Sequence, residues 1–537
     1  IGGKNRLVVH VDREEQSRWY TGSGIYRHVW LQATNKVHVK EHGIFVSTQN
    51  DGTVKVQTEI IGDSNCKISY TILDRLGKKV ATATTKSDNG IALLKSNDIG
   101  TAATTLQVKN PQLWSTESPT LYTLLTKVFD SKGKLVDEVE TPFGFREIRF
   151  DANTGFYLNG KNMKLKGMCL HQDAGSLGVA VPEEVWLRRL KAMKEIGCNS
   201  IRCSHNPPSP EFLNICDSLG LLVLDEAFDK WKSGYYEPFY DENAHQDIAD
   251  MVLRDRNHPS VIIWSIGNET GEQGYPEKYG IAYHLTEVCH NEDSTRLTSF
   301  GSDNPWASGQ DFRNTMDIYG FNYKPHLYGK FHAANPGKPF LGSETASTVS
   351  SRGVYIFPPS DKEDGALDNF QVCSFDMFTV PWGQLPDQEW AEEDRNPSCL
   401  GEFVWTGFDY LGEPTPFNAD LTILTNFHDE EAKARAEKEL KEKGAIATPS
   451  RSSYFGIIDL AGFPKDRYWL YKSRWSSEPV LHLMPHWNWP GREGKITPVQ
   501  AYTNCAEAEL FVNGKSYGRK AKGANEYRFL WDNVVYE

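Results

Sequence analysis

The chain of 537 residues carries a formal net charge of −13, and its sequence pI is about 5.7. An acidic protein repels phosphate backbones and anionic lipids, and no apolar run reaches the roughly 18–20 residues of a membrane-spanning helix, so nucleic-acid and membrane partners are not expected. One hydrophobic core seldom serves more than about 250–300 residues, so the length predicts three or four domains.

The chain begins at Ile1 without a methionine or a signal peptide. Alternating apolar and polar residues predict strands at 6–12 and 25–31. Two strands are too few for a domain, so we interpret residues 1–33 as the last part of a β-sandwich whose beginning is missing. Residues 534–537 also have a strand pattern, and we therefore interpret the chain as a fragment that is trimmed at both ends.

Residues 34–145 are predicted to form the second domain. Short strand patterns at 54–60, 67–72 and 121–128 recur at regular spacing, and turns rich in Gly, Asn and Asp separate them. This spacing is typical of an immunoglobulin-like sandwich of about 100 residues.

Residues 146–476 alternate between strand and helix patterns and are predicted to form a (β/α)8 TIM barrel. An Asn-Gly turn inside a hairpin at 156–163 opens this region. Helices are predicted at 183–196, 210–219 and 244–256. Eight strands, the number in such a barrel, are predicted at 165–170, 200–203, 221–224, 261–266, 297–300, 317–323, 339–342 and 402–405.

The remaining segments show a charged helix and a return to strands. Residues 429–443 alternate in charge, with pairs such as Glu437 and Lys441, and predict a solvated helix rather than a binding site. Residues 477–537 are predicted to form a truncated β-sandwich, with a hairpin at 509–515. Nine cysteines are scattered without a Cys-x-x-Cys pair, which favours buried thiols and leaves the compartment open between periplasm and cytoplasm.

Two predicted barrel strands lead into glutamates. The apolar run 261–266 continues into Gly267, Asn268 and Glu269, and the run 339–342 continues into Ser343 and Glu344. A single glutamate at a strand end is usually a solvated charge. The two lie 75 positions apart, about three β/α units, which places them on strands four and seven, with both carboxylates at the carboxyl end of the barrel. Paired carboxylates in that position indicate hydrolysis of a glycosidic bond.

Three cationic or titratable side chains lie at the ends of the first two predicted barrel strands. Arg202 is expected to hold Glu344 ionised, since arginine is seldom buried without a partner. His171 and His205 fit either a binding role or an ordinary structural role equally well. Metal binding is a weaker interpretation of both histidines, because neither has a recognised ligand spacing.

Three further residues lie at predicted strand ends. The amide of Asn268 can bind a sugar hydroxyl or orient a carboxylate, although a turn residue is the simpler interpretation. Tyr323 can donate to the second oxygen of the nucleophile, and Trp405 can stack on a sugar ring. Packing in the barrel core is the alternative for both aromatic residues.

Several motifs together resemble glycoside hydrolase family 2. They are Gly-Ser-Gly-Ile-Tyr-Arg at 22–27, Ser-His-Asn-Pro-Pro at 204–208, Asp-Arg-Asn-His-Pro-Ser at 255–260, Trp-Ser-Ile-Gly-Asn-Glu at 264–269 and Gly-Ser-Glu at 342–344. The resemblance implies a multidomain α/β plus all-β protein. A TIM barrel would be preceded by the tail of a sugar-binding jelly-roll and an immunoglobulin-like sandwich, and followed by a truncated β-sandwich.

The resemblance also implies a retaining exo-glycosidase, with Glu269 as acid/base and Glu344 as nucleophile. Arg202 would be the partner of the nucleophile. The residues expected around the non-reducing sugar are His171, His205, Asn268, Tyr323 and Trp405.

The sugar is predicted from three segments. Residues 403–412 resemble the galactosidase branch, and residues 456–462 lack the Asn-x-Lys pair with which glucuronidases of the family bind a uronate. Residues 225–231 lack the Glu-x-His that holds Mg²⁺ in some bacterial galactosidases. We therefore predict a β-galactosidase-like enzyme that needs no cofactor, with a structural or weakly bound cation left open.

The predicted partner is an oligosaccharide or another β-glycoside, and assembly into a homo-oligomer is left open. β-Glucuronidase and β-mannosidase specificities are the nearest alternatives. A non-catalytic carbohydrate-binding protein and a scaffold within a larger assembly are alternatives from other classes.

Overall fold

The computed structural model describes most of the chain, namely residues 4, 6–11, 19–22, 24–62, 66–87, 99–359, 370–417, 431, 434–435, 438, 442 and 452–537. Of the predicted charged helix at 429–443, only five residues are described, and the predicted pair of Glu437 and Lys441 lies outside them.

The first residues do not form the predicted strands. Residues 6–11 and 24–37 contain no strand, so the strands predicted at 6–12 and 25–31 are wrong for the described residues. A strand needs a neighbour for its backbone hydrogen bonds, and no described strand pairs with these segments. Their apolar side chains face solvent instead, with Leu7 82% and Leu31 97% exposed.

The predicted sandwich is present as seven strands in two antiparallel sheets, ordered β1-β2-β5 and β4-β3-β6-β7. The strands are β1 (His38–Thr48), β2 (Thr53–Ile61), β3 (Lys67–Leu73), β4 (Lys79–Lys86), β5 (Ile99–Gln107), β6 (Tyr122–Phe129) and β7 (Leu135–Phe143). Every second residue of β6 is buried. This alternation places one face of each sheet in a shared apolar core.

A small sheet follows the sandwich. It consists of β8 (Ile148–Asp151), β9 (Gly155–Leu158) and β10 (Lys161–Met163). Asn159 and Gly160 join β9 to β10 as predicted, and both have the positive φ that a two-residue hairpin turn needs. Phe156 and Leu158 belong to the same buried cluster as Leu165, which begins the first barrel strand, so this sheet lies against the amino-terminal end of the barrel.

Eight parallel strands close into the predicted barrel, in which the first strand pairs with both the second and the eighth. They are β11 (Leu165–Leu170), β12 (Ser200–Cys203), β13 (Leu222–Glu226), β14 (Val261–Asn268), β15 (Leu297–Ser302), β16 (Ile318–Asn322), β17 (Phe340–Ala346) and β18 (Gly401–Trp405). Strands β14 and β17 extend beyond their predicted ends, so Asn268 and Glu344 lie within strands.

Seven helices surround the barrel in the described residues. They are α1 (Glu183–Glu195), α2 (Pro210–Leu219), α3 (Glu237–Asp255), α4 (Gly280–Glu292), α5 (Tyr328–Ala334), α6 (Pro386–Arg395) and α7 (Asp466–Trp475). Two short 3-10 turns replace a helix between β15 and β16. Helix α3 begins seven residues before its predicted start. The prediction missed its first two turns because they contain a single buried residue, Tyr240, and so lack the apolar spacing of an amphipathic helix.

The chain ends in a second β-rich region. Its strands are β19 (Leu481–Met484), β20 (Val499–Thr503), β21 (Glu507–Val512), β22 (Lys515–Ala521) and β23 (Phe529–Trp531). The predicted hairpin is present as β21 and β22. Eight of the nine cysteines are buried, as expected for thiols, and Cys505 is exposed. Among the described residues, every helix is too short or too polar to cross a membrane.

Candidate active site

Polar side chains converge at the carboxyl ends of the barrel strands. This is the end at which the loops of a TIM barrel carry its chemistry. The strand residues concerned are Arg202 on β12, Glu226 on β13, Asn268 on β14, Asn322 on β16, Glu344 on β17 and Trp405 on β18.

Glu344 is buried, and both of its carboxylate oxygens accept hydrogen bonds. Arg202 Nη1 donates to Oε1 at 2.8 Å, and the Tyr323 hydroxyl donates to Oε2 at 2.5 Å. Burial raises the pKa of Glu344 to about 8 and the Glu269 carboxylate adds to the rise, whereas Arg202 and Tyr323 lower it. The two donors therefore favour the ionised form against the effect of burial.

Glu269 follows β14 directly and has a left-handed backbone, with φ of 44°. This conformation is uncommon for residues other than glycine and often marks functional positions. The Glu269 amide donates to the Gly301 carbonyl at 2.8 Å, and its Oε1 accepts from Asn322 Nδ2 at 2.9 Å. These contacts fix the side chain at the mouth of the barrel.

A chain of hydrogen bonds joins the two glutamates. Asn322 Nδ2 donates to Glu269 Oε1 and to Asn268 Oδ1, each at 2.9 Å. Asn268 Oδ1 also accepts from Arg202 Nη2 at 2.9 Å, and Arg202 in turn contacts Glu344. The structure thus brings both predicted glutamates into one network with Arg202 and Asn268.

Glu226 is the main site residue that the sequence reasoning missed. It is fully buried and accepts from Arg202 Nε at 2.9 Å and Nη2 at 2.7 Å. Burial raises the pKa of Glu226, and Arg202 acts in the opposite sense. A sequence signal was present, because Glu226 lies just after the apolar run 221–224, as Glu269 and Glu344 lie just after the apolar runs 261–266 and 339–342.

Comparison with known proteins shows the family of the chain. The family model for the TIM barrel domain of the glycosyl hydrolases family 2 matches residues 151–363, and the model for glycosyl hydrolases family 2 matches residues 37–146. The chain belongs to glycoside hydrolase family 2. A domain of unknown function matches residues 494–537.

Relatives from three Bacteroides species support this membership. The β-galactosidase BoGH2A of Bacteroides ovatus is 38% identical over 98% of this chain and 64% of its own length. Two crystal structures are similar: a β-glycosidase from Bacteroides vulgatus (TM-score 0.78, 33% identity, 97% of this chain, 64% of that one) and a β-glucuronidase from Bacteroides uniformis (TM-score 0.75, 25% identity, 97% of this chain, 62% of that one). The chain spans less than two thirds of the length of these relatives.

Aromatic rings form one wall of this family 2 site. His205 stacks on Trp405, with centroids 5.3 Å apart, and His171 stacks on Tyr410 at 4.0 Å. Trp19 lies 5.1 Å from His171 and 5.3 Å from His205, so the segment before the sandwich contributes to the wall. Sequence reasoning did not single out Trp19 or Tyr410. His205 covers one face of Trp405, so that face is closed to the predicted stacking on a sugar.

The loop after β13, where some family members hold Mg²⁺, contains a lysine. Lys230 Nζ lies 2.8 Å from Asp229 Oδ1 and donates to the Asn268 carbonyl at 3.1 Å. A cation is therefore already supplied among these oxygens, and the loop does not fit a magnesium ion. The described residues contain no group of three or more His, Cys, Asp or Glu placed to hold a metal.

Basic residues beyond β18 are also paired. Lys465 is buried, lies 2.7 Å from Asp409 and donates to the Ser350 carbonyl at 2.8 Å. Arg467 is buried and lies 2.8 Å from Asp376. Both cations thus already have carboxylate partners.

Proposed function

We propose that the protein is a retaining exo-glycosidase that hydrolyses terminal β-D-galactosides. The observation that carries the proposal is the hydrogen-bonded network in which Glu269 and Glu344 occupy unlike environments. A retaining glycosidase needs two carboxyl groups with different protonation at one pocket. Glu344 has a permanent positive charge against it, whereas Glu269 accepts from the neutral amide of Asn322.

The environments assign the roles. Repulsion between the two carboxylates favours a state in which they hold one proton between them. Burial raises the pKa of Glu344 to about 8, and the charged hydrogen bond from Arg202 and the bond from Tyr323 oppose that rise, so we propose that in the reactive form Glu344 is the anion and Glu269 holds the proton. Glu344 is then the nucleophile that attacks the anomeric carbon, while Glu269 protonates the leaving oxygen.

The second step reverses the role of Glu269. Once Glu344 is esterified it carries no charge, so the repulsion that favoured a proton on Glu269 is gone. Glu269 then takes a proton from water, and the water attacks the anomeric carbon and releases the sugar with retained configuration. Charge stabilisation and proton transfer both come from side chains, and we propose that the reaction requires no cofactor.

A neutral sugar is supported by the state of the cations. A uronate carboxylate needs a cation that is not already neutralised. Arg202, Lys230 and Lys465 each contact a carboxylate of the chain, whereas Arg27 and Lys324 donate to backbone carbonyls and are the cations that a glucuronide would need. The similarity to the β-galactosidase BoGH2A supports a galactoside. A β-glucuronide is the second candidate, because the similar structure from Bacteroides uniformis is of a β-glucuronidase.

A cavity of about 770 Å³ adjoins the aromatic wall at Trp19 and His205; Glu269 and Glu344 are not among its lining residues, so it offers room for the part of the substrate beyond the reacting sugar. It reaches Trp19, His205 and Asp229 and extends to Tyr235 and Phe239. Its volume lies within the usual range of small-ligand sites, about 300–1,000 Å³. An oligosaccharide or another β-glycoside is therefore the proposed partner.

A panel of aryl glycosides tests the proposal. The wild-type protein is expected to cleave the β-galactoside faster than the β-glucuronide or β-mannoside, and Glu344→Gln and Glu269→Gln should each lower turnover at least ~10³-fold. Wild-type-like turnover in either variant would contradict the assigned roles. Faster cleavage of the glucuronide would contradict only the proposed galactoside specificity and would leave the roles of the two glutamates unchanged.

A mechanism-based fluorosugar separates an enzyme from a carbohydrate-binding protein. A 2-deoxy-2-fluoro glycoside with a good leaving group should label Glu344, and peptide mapping locates the label. Binding of the sugar without label and without turnover would favour the non-catalytic alternative.

A further inference from the structure

Glu226 is a buried carboxylate at the active site that neither proton transfer uses. It is the last residue of β13 and is fully buried. Four hydrogen bonds reach it, from two nitrogens of Arg202, the hydroxyl of Ser265 and a ring nitrogen of His205. Two of these partners, Arg202 and His205, lie directly against Glu344.

Glu226 holds one edge of the Arg202 guanidinium. Its Oε2 accepts from Nε at 2.9 Å and from Nη2 at 2.7 Å, so Nη1 is left to donate to Glu344 Oε1 at 2.8 Å and to the Ser343 carbonyl at 3.0 Å. The guanidinium is a rigid plane with fixed donor directions. Fixing one edge therefore aims the other edge at Glu344.

Glu226 also fixes His205. Its Oε1 lies 2.6 Å from His205 Nδ1, much closer than Arg202 Nη2 at 3.4 Å, and an ionised carboxylate only accepts hydrogen bonds, so the shorter contact assigns the proton to Nδ1. The other ring nitrogen, Nε2, then faces Glu344 Oε1 at 3.6 Å. The tautomer and orientation of a histidine are commonly set by such a bond on its opposite nitrogen.

We propose that Glu226 is a positioning residue that aims Arg202 and His205 at Glu344 and shares the charge of Arg202 with it. The inference rests on the proposed function, because it requires Glu344 to be the nucleophile. Without Glu226, Arg202 would have Glu344 as its one carboxylate partner in this network. A nucleophile so strongly paired is stabilised in its resting state and loses reactivity.

The charge of Glu226 gives the inference a distinct signature. Removing a nearby negative charge lowers the pKa of a carboxyl group, so Glu344 should ionise at lower pH when Glu226 is neutral. The acidic limb of the pH profile of kcat/KM reports this ionisation in the free enzyme. A residue that only supported the fold would lower activity without moving the limb.

Two variants separate charge from position. Glu226→Gln keeps the length of the side chain and removes its charge. We expect the acidic limb of the kcat/KM profile to lie at least ~0.5 pH unit lower than in the wild type, and kcat/KM to fall about 10²-fold. Glu226→Asp keeps the charge and shortens the side chain, and we expect a loss of about 10²-fold with the limb unmoved. The rate of labelling by the 2-fluoro glycoside should fall in both.

Asp293→Asn is the matched control. Asp293 is fully buried, accepts from Arg296 at 2.6 Å and Trp264 at 3.1 Å, and precedes β15 at the opposite end of the barrel. It should lower thermal stability, because it weakens a buried ion pair. The kcat/KM of the folded variant should stay within about threefold of wild type, with an unmoved limb.

The outcomes are distinct. An unmoved acidic limb in Glu226→Gln, or activity within about threefold of wild type, overturns the inference. If that variant does not fold, wild-type kcat/KM in Glu226→Asp overturns it. All variants are assayed on the panel glycoside that the wild type cleaves best, so a wrong sugar assignment does not affect the test of Glu226. A wild type that cleaves no glycoside of the panel contradicts the proposed function itself.

Discussion

The barrel domain buries two groups of carboxylates that differ in what lies against them. The site group consists of Glu226 and Glu344, which both contact the guanidinium of Arg202. The α6 group consists of Glu389 and Glu393 on helix α6 and Glu402 on strand β18. Burial raises the pKa in both groups, so burial alone does not distinguish a catalytic carboxylate from a structural one.

Hydrogen bonds to the α6 group come from neutral side chains. Glu402 accepts from the Trp390 indole at 2.7 Å, and Glu389 accepts from the Tyr328 phenol at 2.5 Å. Burial raises the pKa of Glu393 to about 8 and that of Glu402 to about 7. The groups differ in direct contact: the Arg202 guanidinium donates to Glu344 and stabilises its anion against the effect of burial, whereas the hydrogen-bond donors of the α6 group are neutral.

The largest expected effect follows from changing that cation. Arg202→Lys keeps a positive charge but loses the planar fork that reaches Glu226, Glu344 and Asn268 together. We expect kcat/KM to fall about 10²–10³-fold in steady-state assays on the preferred aryl glycoside. Arg474→Lys is the matched control, since Arg474 lies near the α6 group and pairs with Asp394, and it should change kcat/KM by less than about twofold.

A smaller decrease in activity is expected when the phenol that donates to Glu344 in the site group is removed. Tyr323→Phe deletes the donor that lowers the pKa of Glu344, so the pKa should rise and the acidic limb of kcat/KM should move to higher pH. We expect kcat to fall roughly 10–100-fold.

Tyr328→Phe deletes a phenol hydrogen bond of the same 2.5 Å length in the α6 group. It should lower thermal stability without moving the limb. Equal shifts of the limb in both variants would show that the distinction between the groups is wrong.

The α6 group should make stability depend on pH. The carboxyls of this group have raised pKa values in the folded protein, whereas a glutamate in the unfolded chain has its ordinary pKa of 4.5. Above pH 4.5 the folded protein therefore keeps protons that the unfolded chain releases. Stability is therefore expected to fall as pH rises from about 4.5 through 7–8. Glu402→Gln removes one such carboxyl and should shrink the difference in melting temperature between pH 5.5 and 8 by about 2–4 °C.

Glu392→Gln is the control for this measurement. Glu392 lies on the same helix, is partly exposed and pairs with Arg395 at 2.6 Å. It should leave the difference in melting temperature unchanged. A similar decrease in both variants would mean that surface charge, rather than the buried group, causes the pH dependence.

Much of the architecture was predictable because it depends on local patterns. Apolar runs predicted the barrel strands, and two of these runs correctly placed Glu269 and Glu344 at the carboxyl end of the barrel. The prediction of strands at 6–12 and 25–31 was wrong for the described residues, because alternation of apolar and polar residues indicates that a strand can form but not that a partner strand is present.

The network between the glutamates depends on distant parts of the chain. Asn322 reaches it because β16 and β17 pair in a register that sets Asn322 against Glu344. The segment that contains Glu226 carries a sequence signal only in its apolar run, and nothing in that run indicates that the carboxylate contacts Arg202. Neither strand register nor the direction of a buried guanidinium can be determined from one sequence, so the second partner of Arg202 became visible only in the structure.

The smallest expected effect concerns metal removal. Lys230 places an ammonium group 2.8 Å from Asp229 and 3.1 Å from the Asn268 carbonyl, beside the residue that precedes Glu269. Because this charge is covalently attached, dialysis against EDTA should leave kcat/KM within about twofold of the untreated protein, and added Mg²⁺ should not raise it. Lys230→Ala should lower kcat/KM by about tenfold, since the carboxylate and carbonyl lose their cation. A large loss after EDTA that Mg²⁺ restores would show that a metal, rather than Lys230, supplies the charge on this side of the site.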